Sequence, residues 1–149
     1  MATTVKEYLQ QYRKAADAEQ LALLDLAETR ALLGSTRSAL NNIDSIRGTA
    51  DEAFLSRDIE RQEALERRLL AKIHKCRRWQ ARVRRTVNRV EPAGFRKILK
   101  MRYILGMSWE GIAGSLHMDE RYVYKLHGKA LQYLEREKPG RTITEAPKP

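Results

Sequence analysis

Apolar residues recur at three- and four-residue steps over most of the chain, a period that predicts helices and no strands. From about Thr4 to Leu33, the residues Val5, Leu9, Tyr12, Ala16, Leu23, Leu26 and Leu33 form a coiled-coil-like row interrupted by Glu19 and Arg30. Leu21, Leu24 and Leu32 lie off that row, so one partner helix leaves apolar surface wet and self-association is expected to cover it. Gly34 is expected to end the helix and Gly48 to close the connection, with Leu40, Ile43 and Ile46 spaced for one short amphipathic helix between them. The longest pattern runs from Asp51 to about Val90 along Leu55, Ile59, Gln62, Glu66, Leu69, Ile73, Cys76, Gln80, Val83, Val87 and Val90. At the usual helical rise it reaches about 60 Å against about 45 Å for the first helix. In an antiparallel hairpin the first helix would then run out opposite Gln80, and the last turns of the second would project beyond it.

Glu91-Pro92 marks a boundary, because proline breaks a helix interior and suits the first turn of a new one. From Pro92 to Leu105 a further helix presents Phe95, Ile98, Leu99 and Tyr103, and Gly106 can cap it. Ser108 is an N-cap and Glu110 places negative charge in the first turn of a short helix that ends near Leu116. After His117 and Met118, Asp119 is a second N-cap, and its helix runs past Leu134 before Pro139 stops it. The tail beyond residue 137 has little to bury and reads as disordered.

The two short helices with their tight turn have the pattern of a helix-turn-helix, and the helix before them supplies the third wall. Ile112, Ala113 and Leu116 can face Val123, Leu126 and Ala130, with Leu134 continuing the buried row. The opposite side then carries Arg121, Lys125, Gly128 and Gln132, flanked by Glu120, Tyr124 and Lys129. In a major groove, Glu120, Arg121, Tyr124 and Lys125 would meet base edges, while Ser108 and Lys129 would meet phosphates. Arg121 suits a bidentate guanine contact, and Glu120 can accept from a cytosine amine.

MRYILGMSWEGIAGSL followed by YVYKLHGKALQYL resembles region four of bacterial sigma factors. It is more closely similar to small phage and prophage regulators related to the ArpU and RinA late-gene activators. The likeness covers about residues 95 to 135, through Arg102-Tyr103, Gly106, Ser108-Trp109, Ile112-Ala113, His127-Gly128 and Ala130-Leu131. Tyr8-Leu9 and Tyr12 also resemble that family's amino-terminal end. The resemblance implies sequence-specific binding of double-stranded DNA and contact with bacterial RNA polymerase. Three residues depart from it: Gly111 stands where an acid is more usual, Gly114 adds a second helix-weakening glycine, and His117 replaces the turn glycine. Histidine tolerates positive φ better than most side chains, so the turn is expected to survive.

Charge changes the picture of the long helix. The chain carries a net charge of +10. Residues 1–66 hold 8 basic and 12 acidic residues, residues 67–90 hold 10 basic and none acidic, and residues 91–149 hold 11 and 7. Within the basic block Lys75, Arg78, Arg82, Arg85 and Arg89 form a stripe at helical spacing, with Trp79 and Arg84 nearby. Such a stripe is a solvated face, a set of partners for acids such as Glu7 and Asp17, or a surface that faces phosphates or the polymerase. Without an intervening acid it is hard to neutralise locally. Arg78, Arg82, Arg85 and Arg89 are therefore assigned to DNA phosphates.

Other chemistries find little footing. Cys76 is the single cysteine, which excludes an intrachain disulfide and fits a reducing cytoplasm. His74, Cys76, His117 and His127 match no zinc-ligand spacing, so neither metal nor cofactor is expected. There is no GxxxxGK[ST], GxSxG or HExxH, and the carboxylates are scattered, so an enzyme is not expected. Neither a signal peptide nor a membrane span is apparent. The sequence thus predicts an all-α protein with a helical hairpin and basic connecting helix over 1–90, a helix-turn-helix domain over 91–137 and a tail over 138–149. The expected function is a cytoplasmic, homodimeric regulator of phage transcription. A small-terminase-like DNA-packaging adaptor, which also joins a helix-turn-helix to an oligomerising coiled coil, is the alternative; a ring of many subunits would favour it.

Overall fold

The computed structural model describes residues 4–42 and 50–137. Among these residues the structure is all-helical: α1 (Val5–Asn41), α2 (Ala50–Asn88), α3 (Ala93–Leu99), a π-helical turn (Lys100–Ile104), α4 (Trp109–Leu116) and α5 (Glu120–Arg136). No helix among them is long and apolar enough to cross a membrane. The tail expected to be disordered, together with Ile43, Ile46 and Gly48, lies outside the described residues.

The chain forms two compact units, and the division does not fall at residue 90. One unit joins the residues up to Ala16 with those from Arg78 onward; the other is Asp17–Arg77. The first turns of α1 therefore belong with α3 to α5, for a reason visible in the core. Val5, Tyr8, Leu9 and Tyr12 are buried with Val83, Val87 and Val90 against Ile98, Leu99, Tyr103, Ile112, Ala113, Val123, Ala130 and Leu134. Tyr8 bonds Thr86 at 3.1 Å, and the Arg84 guanidinium donates to the Tyr12 hydroxyl at 2.6 Å. The expectation that α1 runs out opposite Gln80 is thus corrected, since its first turns pair with residues as far along α2 as Thr86.

A capping box opens α1. The Thr4 hydroxyl accepts from the Glu7 amide at 3.2 Å, and the Glu7 carboxylate accepts from the Thr4 amide at 3.0 Å. Gly34 does not end the helix. It is exposed, and a helical glycine costs only about 1 kcal/mol, which contacts further on can offset. Arg37 donates to Glu63 at 2.8 Å, and Thr36 bonds both the Leu32 carbonyl and Asp58. Leu40, expected in a separate short helix, belongs to α1.

Within the Asp17–Arg77 unit, Glu19 pairs with Arg77, Arg30 with Glu66 and Arg37 with Glu63, so the two helices run antiparallel there. The seam of α2 is as the period predicts, with Leu69, Ile73 and Cys76 buried. That of α1 is shifted: Ala22 and Thr29 are buried while Leu23 is 40% exposed. A strict heptad through Leu26 and Leu33 selects Ala22 over Leu23, and the small side chain allows close helix approach. Leu21, Leu24 and Leu32 are exposed.

The end of α3 passes into the π turn, where the Leu105 amide bonds the Lys100 carbonyl and the Met107 amide bonds the Met101 carbonyl, at 2.9 Å each. Gly106 closes this turn at φ 68°, and a Cβ there would overlap the Arg13 guanidinium, which donates to the Leu105 carbonyl at 3.1 Å. Glycine is therefore favoured by its backbone conformation, and a Cβ would displace the end of the flexible Arg13 side chain.

Leu9→Ala should cost about 2–5 kcal/mol, because Leu9 is fully buried where α1 closes this core. The exposed Leu24→Ala should change stability by less than about 0.5 kcal/mol. Urea unfolding of both variants, followed by circular dichroism, checks this; equal midpoints would contradict the place given to α1.

Candidate functional site

The surface singled out by the sequence is presented by α5. Asp119 is its N-cap in extended conformation, φ −68° and ψ 142°, and the Val123 amide bonds the Asp119 carbonyl at 3.1 Å. The Asp119 side chain makes no capping bond, so the position is as expected but the carboxylate does not close the helix end. Val123, His127, Ala130 and Leu134 form the buried face, while Leu126 is half-buried. Arg121, Lys125, Lys129 and Gln132 are exposed, as is Glu120, and Gly128 is half-buried. Burial of Val123 and His127 directs Arg121 and Lys125 to solvent through helical geometry alone.

The helix α4 that leads into α5 is capped at both ends by specific bonds. The Ser108 hydroxyl accepts from the Gly111 amide at 3.0 Å, leaving its own proton free to donate to an anion. A side chain at position 111 would crowd that hydroxyl, since a Cβ there would come within 3.1 Å of it. At the other end His117 is left-handed, φ 52° and ψ 44°. Its amide bonds the Gly114 carbonyl at 3.3 Å and the Met118 amide bonds the Ala113 carbonyl at 3.0 Å, the paired bonds of a Schellman motif. His117 thus does the work of the turn glycine.

Behind α5 lies a polar and aromatic cluster that the period did not single out. Trp109 is half-buried, with the Tyr124 ring 4.9 Å away, the His127 ring at 4.6 Å and the Arg102 guanidinium over its face at 4.3 Å. His127 is buried and shares a hydrogen bond of 2.7 Å with the Tyr103 hydroxyl. Burial, and after it the charges of Lys6 and Arg102, lowers the His127 pKa to about 4, so the imidazole is neutral at pH 7. Burial raises the Tyr103 pKa, with Arg102 acting against it, so the phenol keeps its proton. One side of Tyr124 is therefore held by Trp109, although the residue remains 47% exposed. His127 was legible only as a residue four after Val123, a spacing that puts it on the buried face. Tyr133 packs on Phe95 at 5.9 Å, and Tyr122 is exposed.

The arginine stripe belongs to the same unit, with Arg78, Arg82 and Arg85 on the last turns of α2 and Arg89 just past its end. Arg78, Arg85 and Arg89 are exposed, whereas Arg82 is half-buried with its guanidinium 5.8 Å from the Trp79 ring centre. Glu7, one of the acids that could neutralise the stripe, is engaged in the capping box, and Glu19 pairs with Arg77 outside the stripe. Among the described residues no group of three or more His, Cys, Asp or Glu is placed to hold a metal ion.

A histidine whose folded pKa lies near 4 binds its proton less readily than in the unfolded chain, where the value is about 6.5. Its contribution to stability is therefore complete above about pH 6.5 and is lost as the pH falls toward about 4, on the order of 2 kcal/mol. Urea midpoints at pH 7.5 and pH 5 should differ by more in the parent than in His127→Gln, which cannot titrate; parallel curves would contradict this. An imidazole that titrates near its ordinary value by NMR would contradict it as well.

Compared with known proteins, the chain matches no family model, no curated protein and no solved structure. The roles open to α5 therefore rest on this chain's own residues.

Proposed function

We propose that this chain is a sequence-specific DNA-binding transcription regulator of the phage and prophage type. In this reading α4 and α5 act as a helix-turn-helix, joined through the basic helix to an amino-terminal helical hairpin. The observation that carries the reading is the placement of Arg121 and Lys125. Both are exposed on the first turns of α5, one helical turn apart, while Val123 between them is fully buried. A helix that presents cations near its N-terminus and is braced from behind suits insertion into a major groove.

Each of the proposed contacts has a chemical basis. Arg121 offers a planar fork for guanine O6 and N7, Lys125 a mobile cation for base or phosphate, and Glu120 an acceptor for a cytosine amine. Tyr124, braced by Trp109, adds an apolar edge for a thymine methyl. Ser108 and Lys129 would hold phosphates beside the groove. Arg78, Arg82, Arg85 and Arg89 would add sequence-independent attraction, which makes binding depend on salt. RNA polymerase is the proposed protein partner. A homodimer would cover Leu21, Leu24 and Leu32, which α1 leaves exposed.

Gel shifts on restriction fragments of the source genome test the reading. Arg121→Ala should cost about 1–3 kcal/mol of specific binding and relax the preference at one base pair. Lys125→Ala should weaken binding similarly and reduce the slope of log K against log salt by about one. Glu135→Ala, at the far end of α5, should leave both unchanged. If both cationic variants bind as tightly and selectively as the parent, α5 is not the reading helix.

A further inference from the structure

A cavity of about 310 Å³ opens beside α4 in the same unit, lined by Lys6, Gln10, Arg13, Arg102, Tyr103, Gly106 and Trp109. Three of these residues are cations and none is an acid. Like charges gathered around one opening repel one another, and an anion between them would remove that cost.

The cations are also positioned. Arg13 donates to the Leu105 carbonyl at 3.1 Å and Arg102 to the Met107 carbonyl at 3.0 Å, so the residues closing the π turn hold both guanidinium groups at the cavity. A guanidinium that spends one N–H on a carbonyl keeps most of its donors for a ligand. The π turn itself contributes Arg102 and Tyr103, and π-helical insertions recur at functional sites. Gly106 leaves room for Arg13 to reach this place. Lys6 and Arg102 also depress the basicity of His127, so their positive field extends behind the cavity wall.

The chemistry of the lining selects the ligand class. Arg102 covers a face of Trp109, and Tyr124 and His127 approach the same ring, so the cavity offers charge and N–H donors in preference to a stacking surface. Its volume is at the lower end of ligand sites, which run from about 300 to 1,000 Å³. Two arginine forks and a lysine match the several oxygens of a phosphate better than the two of a carboxylate.

We propose that this cavity between the first turns of α1 and the π turn is a phosphate-binding site. The phosphate comes from a small phosphorylated compound or from a nucleic-acid backbone, and the two sources share the chemistry of recognition. The site does not depend on α5 reading bases.

Isothermal titration of the full chain with inorganic pyrophosphate, at constant ionic strength and with acetate as control, tests the proposal. The variant Lys6→Glu with Gln10→Glu changes two exposed positions near the start of α1 and leaves the core untouched. The parent should bind pyrophosphate saturably at millimolar concentration and acetate not at all. The double variant should lose roughly tenfold or more in affinity at a melting temperature no lower than the parent's, since it also relieves the repulsion among the cations, and Lys6→Gln alone should lose less. Absence of binding by the parent, equal affinity in the double variant, or equal binding of acetate would each overturn the site. Competition by duplex DNA that the double variant abolishes identifies a backbone phosphate as the occupant; pyrophosphate binding that DNA leaves untouched identifies a free compound. Failure here leaves the Arg121 and Lys125 experiment unaffected, so the two readings can fall separately.

Discussion

Burial of Val5, Tyr8, Leu9 and Tyr12 against the end of α2 and the inner faces of α3 to α5 is the interaction on which the rest depends. The helices α3 and α4 have 7 and 8 residues, well below the roughly 12–15 at which an isolated helix becomes marginal in water. Their stability comes from tertiary contact. Both pack on α5, and the start of α1 and the end of α2 join the same core from a distant part of the chain. Bringing these parts together is also what places Lys6, Gln10 and Arg13 beside Arg102 and Trp109.

Two left-handed residues and one π turn then set where each short helix points. Gly106 turns the chain out of the π segment, and His117 turns it from α4 into α5. At Gly106 the carbonyls left over by the π geometry are taken up by Arg13 and Arg102. At His117 the backbone satisfies itself by paired amide bonds. The first turn thus depends in part on Arg13, from a distant part of the chain, and the second on local geometry alone.

Charge is handled by separation. Cations stand outward on α5, on the last turns of α2 and around the cavity, while the buried polar group nearest to them, His127, stays neutral. A protonated imidazole between Lys6, Arg102 and the core would add positive charge where solvent cannot screen it. Its bond to Tyr103 satisfies the ring nitrogen without a charge, and its edge against Trp109 braces the aromatic residue that Tyr124 leans on.

The sequence by itself determined the helical class, the seam of α2, the cap at Ser108, the turn at His117 and the outward placing of Arg121 and Lys125. These follow from periods and caps that act within a few residues. It misplaced the end of α1, because Gly34 signals a stop locally while Arg37 and Thr36 find partners on α2 that carry the helix onward. It chose Leu23 where the packed seam takes Ala22, because hydrophobicity favours leucine but close helix approach favours the smaller side chain. Only the tertiary structure decided that the first turns of α1 complete the carboxy-terminal unit, that His127 is a buried neutral partner of Tyr103, and that three cations from distant segments surround one cavity. Those outcomes depend on which surfaces meet after the chain has folded back on itself, and no periodicity along the chain encodes a contact between residues 13 and 105.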